Sequence, residues 1–248
     1  MRLNNKISLV TGAGSGFGRG IASRFVEEGA KVVVADINQE AAEMVAEEIG
    51  ENAIAIVADV SQNTDVLAMI QLTVERYGRL DILVNNAGTT HRNKLMTEVS
   101  EEEFDHILAV NVKSVFLTAK HIVPLMKKQG SGVILNVAST AGVRPRPGLA
   151  WYNTSKGAMI AATKAMAIEL APEKIRVNAI NPVAGDTGML QLFMGEDTPE
   201  KRKQFVSSIP WGRLSQPEDM ANAELFLCSD EAEMVTGTCM EVDGGRCI

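Results

Sequence analysis

Short apolar runs without polar alternation recur along the chain. Residues 7–10, 32–35, 54–57, 82–84, 133–137 and 175–180 are the clearest, and 239–242 is a weaker seventh. Uninterrupted β-branched runs of this length predict strands covered on both faces. Amphipathic stretches lie between them, at 18–28, 39–49, 65–77, 101–128, 153–171 and, more briefly, 220–227. Such alternation predicts right-handed βαβ units. The expected architecture is α/β: a doubly wound Rossmann fold, with an about seven-stranded parallel sheet and helices on both faces. With no repeat, low-complexity tract or linker, the chain reads as a single domain over 1–248.

Two features stand outside this alternation. The stretch from Pro182 to Pro210 mixes Gly, Asp, Met and Phe between the sixth strand and the last helix. Long excursions in compact domains are usually functional, so a substrate lid within 183–210 is expected; the alternative is a pair of surface helices that only pack. In the stretch 153–171, Ala158, Ala161, Ala162 and Ala165 share a small-residue face. That face suits a subunit contact or packing against the sheet, and both readings stay open.

Composition narrows the function classes. A net charge of -7 argues against a nucleic-acid partner, because phosphate-backbone binding rests on clustered Lys and Arg. The three cysteines, Cys228, Cys239 and Cys247, are odd in number and form no C-x-x-C pair. That fits a reducing compartment better than a disulfide framework, with a link near the C-terminus as the minority alternative. The N-terminus lacks a signal-like apolar stretch, and no apolar run is read as a membrane span. A cytoplasmic protein without a membrane partner is expected, and no metal site is proposed.

The first strand leads into Thr11-Gly12-Ala13-Gly14-Ser15-Gly16-Phe17-Gly18 and then a helix. Glycines let the backbone turn sharply toward a pyrophosphate, and the helix N-terminus offers free N–H groups. The spacing misses G-x-G-x-x-G but satisfies T-G-x-x-x-G-x-G through Thr11, Gly12, Gly16 and Gly18. Asp36 ends the second strand about 20 residues on, where an acid accepts hydrogen bonds from both ribose hydroxyls and repels a 2′-phosphate. NAD is therefore expected in preference to NADP. Arg19, which could neutralise such a phosphate, is placed on the solvent side of its helix.

Tyr152 and Lys156 stand at i and i+4 on one helical face. A phenol titrates near 10, and an adjacent ammonium lowers that value, which makes the pair an acid/base unit. Ser139 follows the fifth strand, where its hydroxyl can polarise a substrate oxygen. Asn111 interrupts a helical stretch for which Asn is a poor former.

With the glycine turn, these residues resemble the short-chain dehydrogenase/reductase family, of the short single-domain type. The resemblance also takes in Asn85-Asn86-Ala87-Gly88, Asn181-Pro182 and Asp243-Gly244-Gly245, and covers essentially the whole chain. It implies hydride transfer between a nicotinamide and a ketone or secondary alcohol. Tyr152 would be the acid/base, and Lys156 would lower its pKa and bind the nicotinamide ribose. Ser139 would polarise the carbonyl, and Asn111 would hold a water in a proton relay. The implied cofactor contacts are Gly12, Ser15, Gly16, Phe17, Gly18, Asp36, Ile37, Asp59, Val60, Asn86, Ala87, Gly88, Tyr152, Lys156, Pro182, Val183 and Thr187. Asp59 reads equally as a helix N-cap. A homotetramer is the assembly the resemblance implies.

One departure stands out. Val183 replaces a family glycine and Gly185 occupies an apolar position, so a different loop path around the nicotinamide is expected. Candidates for the substrate pocket are His91, Arg144, Arg146, Trp151, Met189, Leu190 and Phe193. The two arginines would suit an acidic substrate, although exposed arginine is the norm. Three alternatives to an NAD-dependent alcohol dehydrogenase or ketone reductase are an NADP-dependent 3-oxoacyl-carrier-protein reductase, an epimerase or lyase of the same fold, and a non-catalytic sensor.

Overall fold

The computed structural model describes residues 1–248. Its seven strands are β1 (Ile7–Thr11), β2 (Lys31–Asp36), β3 (Ala53–Val57), β4 (Ile82–Asn85), β5 (Gly132–Val137), β6 (Ile175–Pro182) and β7 (Cys239–Val242). They form one parallel sheet in the order β3-β2-β1-β4-β5-β6-β7. The chain first builds outward from β1 to β3, then returns to place β4 on the other side of β1. Loops leaving β1 and β4 therefore diverge and open a crevice at the carboxyl ends of the strands.

Helices cover both faces. On one lie α1 (Gly16–Glu27), α2 (Gln39–Ile49) and α9 (Pro217–Cys228). Ile21 and Phe25 of α1 and Met220 and Leu225 of α9 pack there on Val10, Val32, Val34 and Val84. On the other face lie α3 (Asn63–Tyr77), α5 (Ser114–Gln129) and α6 (Ala150–Leu170). Met69, Leu117, Ile122 and Leu170 cover Leu9, Val33, Leu83 and Ile134. Successive strand residues thus feed opposite cores, which is why the strands read as unbroken apolar runs. Burying a side chain such as Phe25 stabilises the fold by about 1.5–3 kcal/mol.

The predicted stretch 101–128 is one continuous run with a defect. Helix α4 (Glu101–Leu108) passes through a π-helical turn (Ala109–Lys113) into α5. Glu101–Gln129 is the one helical run that is long and apolar enough to cross a membrane, by length and composition only. Ile107, Val115, Leu117, Ile122 and Met126 of this run are buried within the protein. The wider π turn carries Asn111 into the interior, fully buried, and π turns of this kind often mark functional positions.

The stretch 183–210 contains α7 (Leu190–Met194) and α8 (Pro199–Ser207). Leu190 and Met194 are anchored in a small core with Val183, Ile209 and Leu214. Val183 is buried and has no positive φ. The position therefore needs no glycine, and valine is accommodated without backbone strain. On α6, Met159, Thr163 and Ala167 are buried, whereas Ala161 and Ala165 are exposed. Sheet packing does not account for those two alanines. The three cysteines are all free thiols.

Candidate active site

The crevice is a continuous cleft of about 470 Å³ along the carboxyl edge of the sheet. Its first wall is the turn from β1 into α1. Gly12 has φ +61°, a conformation that L side chains rarely adopt. Ser15 holds the N-cap position of α1, but its side chain caps nothing. The N–H groups of the first helical turn thus remain available to an anion in the cleft, which Ser15, Gly16 and Phe17 line. Gly18, expected to touch cofactor, lies behind this wall instead. A Cβ there would stand 2.3 Å from the Gly12 carbonyl oxygen, so its role is close packing of helix on turn.

Asn86 ties the two crevice loops together. Its Nδ2 donates to the carbonyls of Thr11 (2.8 Å) and Gly12 (3.0 Å). The Thr11 hydroxyl in turn accepts from the Asn86 and Ala87 N–H groups, each at 3.1 Å. Asn86, Ala87 and Gly88 all line the cleft, but the Asn86 side chain is committed to the protein. Asp36 stands at the far end. Its Oδ2 accepts from the Gly14 N–H and its Oδ1 from the Asn38 N–H, both at 2.9 Å. Both oxygens are held in place yet keep acceptor capacity. Gly14 received no role from the sequence, but a Cβ there would come within 2.9 Å of Asp36 Oδ2. Ile37, Asp59 and Val60 line the same end. Asp59 is no helix cap, because Gln62 occupies that position on α3; its Oδ1 accepts from the Ser61 N–H at 2.9 Å. Arg19 points outward and pairs with Glu48.

Ser139, Tyr152 and Lys156 converge at the other end, all lining the cleft and all buried. Ser139 Oγ accepts from the Ala141 N–H at 3.0 Å, which fixes its rotamer. Lys156 Nζ donates to the Val137 carbonyl at 2.7 Å and lies 5.9 Å from the Tyr152 ring centroid. Asn111 does not reach the cleft surface. Its Nδ2 donates to the Thr89 carbonyl and to Ser155 Oγ, and its Oδ1 accepts from the Thr89 N–H. Both amide hydrogens are thus used inside the protein. A Cβ on Gly88 would lie 3.4 Å from Lys156 Nζ and 3.5 Å from Asn111 Oδ1, so the bare glycine backbone runs between the two.

Electrostatics correct one expectation. Burial pushes the Tyr152 phenol up to about 12, with Ser139 and the Arg146 charge acting in the opposite direction. Burial pulls Lys156 down to about 7. In the protein alone, burial is the largest cause of both shifts. Tyr152 carries its proton at neutral pH, and Lys156 gives up its proton more readily than a solvated lysine.

The family described as Enoyl-(Acyl carrier protein) reductase matches residues 12–246. The 4-formylbenzenesulfonate dehydrogenase of Comamonas testosteroni is 50% identical over 250 residues, 99% of each chain. The chain belongs to the short-chain dehydrogenase/reductase family. Solved members of this family have the same fold. A 3-ketoacyl-(acyl-carrier-protein) reductase from Brucella melitensis, complexed with NADH, superposes with a TM-score of 0.95 at 51% identity, covering 99% of this chain and 100% of that one. An NAD+-bound xylitol dehydrogenase gives 0.93 at 33% identity, with the same coverage. The short-chain dehydrogenase/reductase assignment makes the chain an oxidoreductase of that type.

The substrate end of this short-chain dehydrogenase/reductase differs from the sequence reading at four positions. Met189, Phe193 and Arg146 line the cleft as expected, and the Phe193 ring centroid is 5.1 Å from that of Tyr152. Leu190 turns into the small core beneath α7. Trp151 faces away, where its Nε1 donates to the Met96 carbonyl at 3.2 Å and its ring meets Phe104 edge-on. Helical periodicity separates it from Tyr152 by about 100°. Arg144 is outside the cleft and donates to the Arg246 carbonyl. His91 is buried beside the loop, with Nδ1 2.8 Å from the Arg92 carbonyl oxygen. Leu149, His106, Val110 and Phe205 line the cleft without having been singled out. Phe205 had no sequence signal beyond lying within the expected lid, and Leu149 none beyond preceding the Tyr152 helix.

Proposed function

We propose that this protein is an NAD(H)-dependent dehydrogenase or reductase that interconverts a secondary alcohol or related carbinol and its carbonyl compound. The observation that carries this reading is a single cleft with Asp36 at one end and Ser139, Tyr152 and Lys156 at the other. A nicotinamide dinucleotide held by the residues of this cleft would supply or accept the hydride. The uncapped start of α1 suits its pyrophosphate, and Asp36 suits a ribose with two free hydroxyls.

In reduction, Tyr152 donates its proton to the substrate oxygen while Ser139 donates a hydrogen bond to it. In oxidation, Tyr152 takes the hydroxyl proton back. Lys156, when charged, favours the phenolate so formed. Thr187, Pro182 and Val183 line the nicotinamide end. Helices α7 and α8 act as a lid, with Met189, Phe193 and Phe205 forming an apolar ceiling that excludes water. The working assembly is a homotetramer, a reading supported by exposed Ala161, Ala165 and Ile168 on α6.

A second reading is reduction of a 3-oxoacyl thioester, favoured by the 51% identity to the Brucella melitensis reductase. One screen separates the two. Simple ketones, aromatic aldehydes, polyols and acetoacetyl-CoA are offered in both directions with NAD(H) and NADP(H), and nicotinamide absorbance is followed. Turnover of the small carbonyl compounds with NADH, and little with NADPH, is expected. Activity confined to the thioester and NADPH would defeat the first reading.

A further inference from the structure

Three arginines gather beside the substrate end of the cleft, and no carboxylate pairs with any of them. Arg146 lines the cleft. Its guanidinium is 4.4 Å from the Phe205 ring centroid. Asn153 Nδ2 donates to its carbonyl at 2.8 Å and fixes the backbone. Its Nη2 is shielded from solvent and has no hydrogen-bond partner. Arg144 Nη1 is bound by the Arg246 carbonyl at 2.6 Å, and Arg246 Nε is again buried without an acceptor. None of the three takes part in an ion pair.

The acidic groups nearby are otherwise engaged. Asp243 accepts from the Gly245 and Cys247 N–H groups at 2.8 and 2.7 Å. Burial and Asp243 hold the Cys247 thiol up at about 11, so it is neutral. Burial and the neighbouring arginines lower Arg146 to about 10, which leaves it charged at neutral pH. A desolvated guanidinium with a free donor is unfavourable until an anion meets it. Its planar fork matches a carboxylate or sulfonate, and stacking on an aromatic ring pre-orients it. Arg146 and Tyr152 line the same cleft, whose other walls include Leu149, Met189 and Phe193.

We propose that Arg146 is the anion-binding group of the substrate pocket, and that the substrate joins an oxyanion, carboxylate or sulfonate, through a short apolar body to the reacting carbon. This rests on the oxidoreductase reading given above.

Matched aldehydes test it: 4-formylbenzoate, 4-formylbenzenesulfonate and neutral methyl 4-formylbenzoate, each reduced with NADH. The wild type should prefer an acid over the ester in kcat/KM by about 10- to 100-fold, the worth of a charge-assisted hydrogen-bonded pair. The two acids distinguish carboxylate from sulfonate. Arg146→Gln should collapse that preference mainly through the KM of the acid, and Arg146→Lys should keep part of it. A wild type without preference, or a glutamine variant that lowers acid and ester in proportion, overturns the proposal. Calorimetric binding of benzoate against benzamide reads the same site without turnover. If no aldehyde is reduced, the catalytic reading fails alone: benzoate binding lost in Arg146→Gln still supports the anion site, and equal binding of the two probes overturns it.

Discussion

The ring of Phe17 occupies the space that a side chain at Gly185 would need. A Cβ on Gly185 would lie 2.4 Å from Phe17 Cζ and 2.7 Å from Cε1. Both residues line the cleft, so Phe17, at the start of α1, fills the volume that a side chain on the β6 loop would take. This close approach leaves no room for a side chain at Gly185. Gly185→Val should destabilise the protein by about 1–3 kcal/mol through overpacking. Phe17→Ile should also destabilise, through an unfilled space. The double variant should recover part of both losses, with a coupling energy of about 0.5–3 kcal/mol. Denaturant midpoints of the four proteins complete the cycle; strict additivity would show that the two side chains do not compete for one volume.

Tyr152→Phe should keep the fold, because only a hydroxyl is removed from a ring packed beside Phe193. Loss of the proton donor should lower kcat by about 10²–10⁴-fold. Steady-state kinetics together with NADH binding would locate the defect in chemistry. Full turnover by this variant would remove Tyr152 from the mechanism.

Asp36→Ala should raise kcat/KM with NADP relative to NAD by about 10-fold or more, since a like charge beside the 2′-phosphate is withdrawn. The Gly14 N–H would lose its acceptor, so affinity for both dinucleotides should fall somewhat. An unchanged cofactor ratio would sink the argument for NAD selection.

The buried lysine makes a pH prediction for the cofactor-free protein. Lys156 is pulled from 10.5 down to about 7. Between those values the unfolded chain binds more protons than the folded one, so the contribution of this group to stability increases as pH rises from 7 toward 10. Tyr152 is raised from 10.0 to about 12, so its contribution is fully present below 10 and is lost as pH climbs through 12. Urea unfolding of wild type and Lys156→Met from pH 7 to 9.5 isolates the lysine. The wild type should gain on the variant with increasing pH. Parallel curves would show that Lys156 titrates normally in the fold.

The strands, the parallel sheet and most helix boundaries were legible because burial on two faces leaves an unmistakable apolar record. Gln39–Ile49 appeared over the same residues in sequence and structure. The catalytic candidates were legible through spacing on local elements: Tyr152 and Lys156 need only one helix to share a face. The substrate end was less legible. Trp151 adjoins Tyr152 in sequence yet faces Phe104, and Leu190 adjoins Met189 yet turns inward. Adjacency in a helix rotates neighbours apart, and which side meets the cleft depends on how the helix is docked.

The sequence by itself determined the fold class, the glycine turn, the acid at the end of β2 and the Tyr152–Lys156 pair, because each rests on periodicity or short-range geometry. Tertiary structure alone decided three matters: that burial sets the Tyr152 and Lys156 proton affinities, that Phe17 fills the space at Gly185, and that Arg146 rather than Arg144 enters the cleft. Desolvation, steric exclusion and unpaired charge are properties of what surrounds a residue. Those surroundings here come from segments far apart in the chain, and they exist only once the sheet and its loops have been assembled.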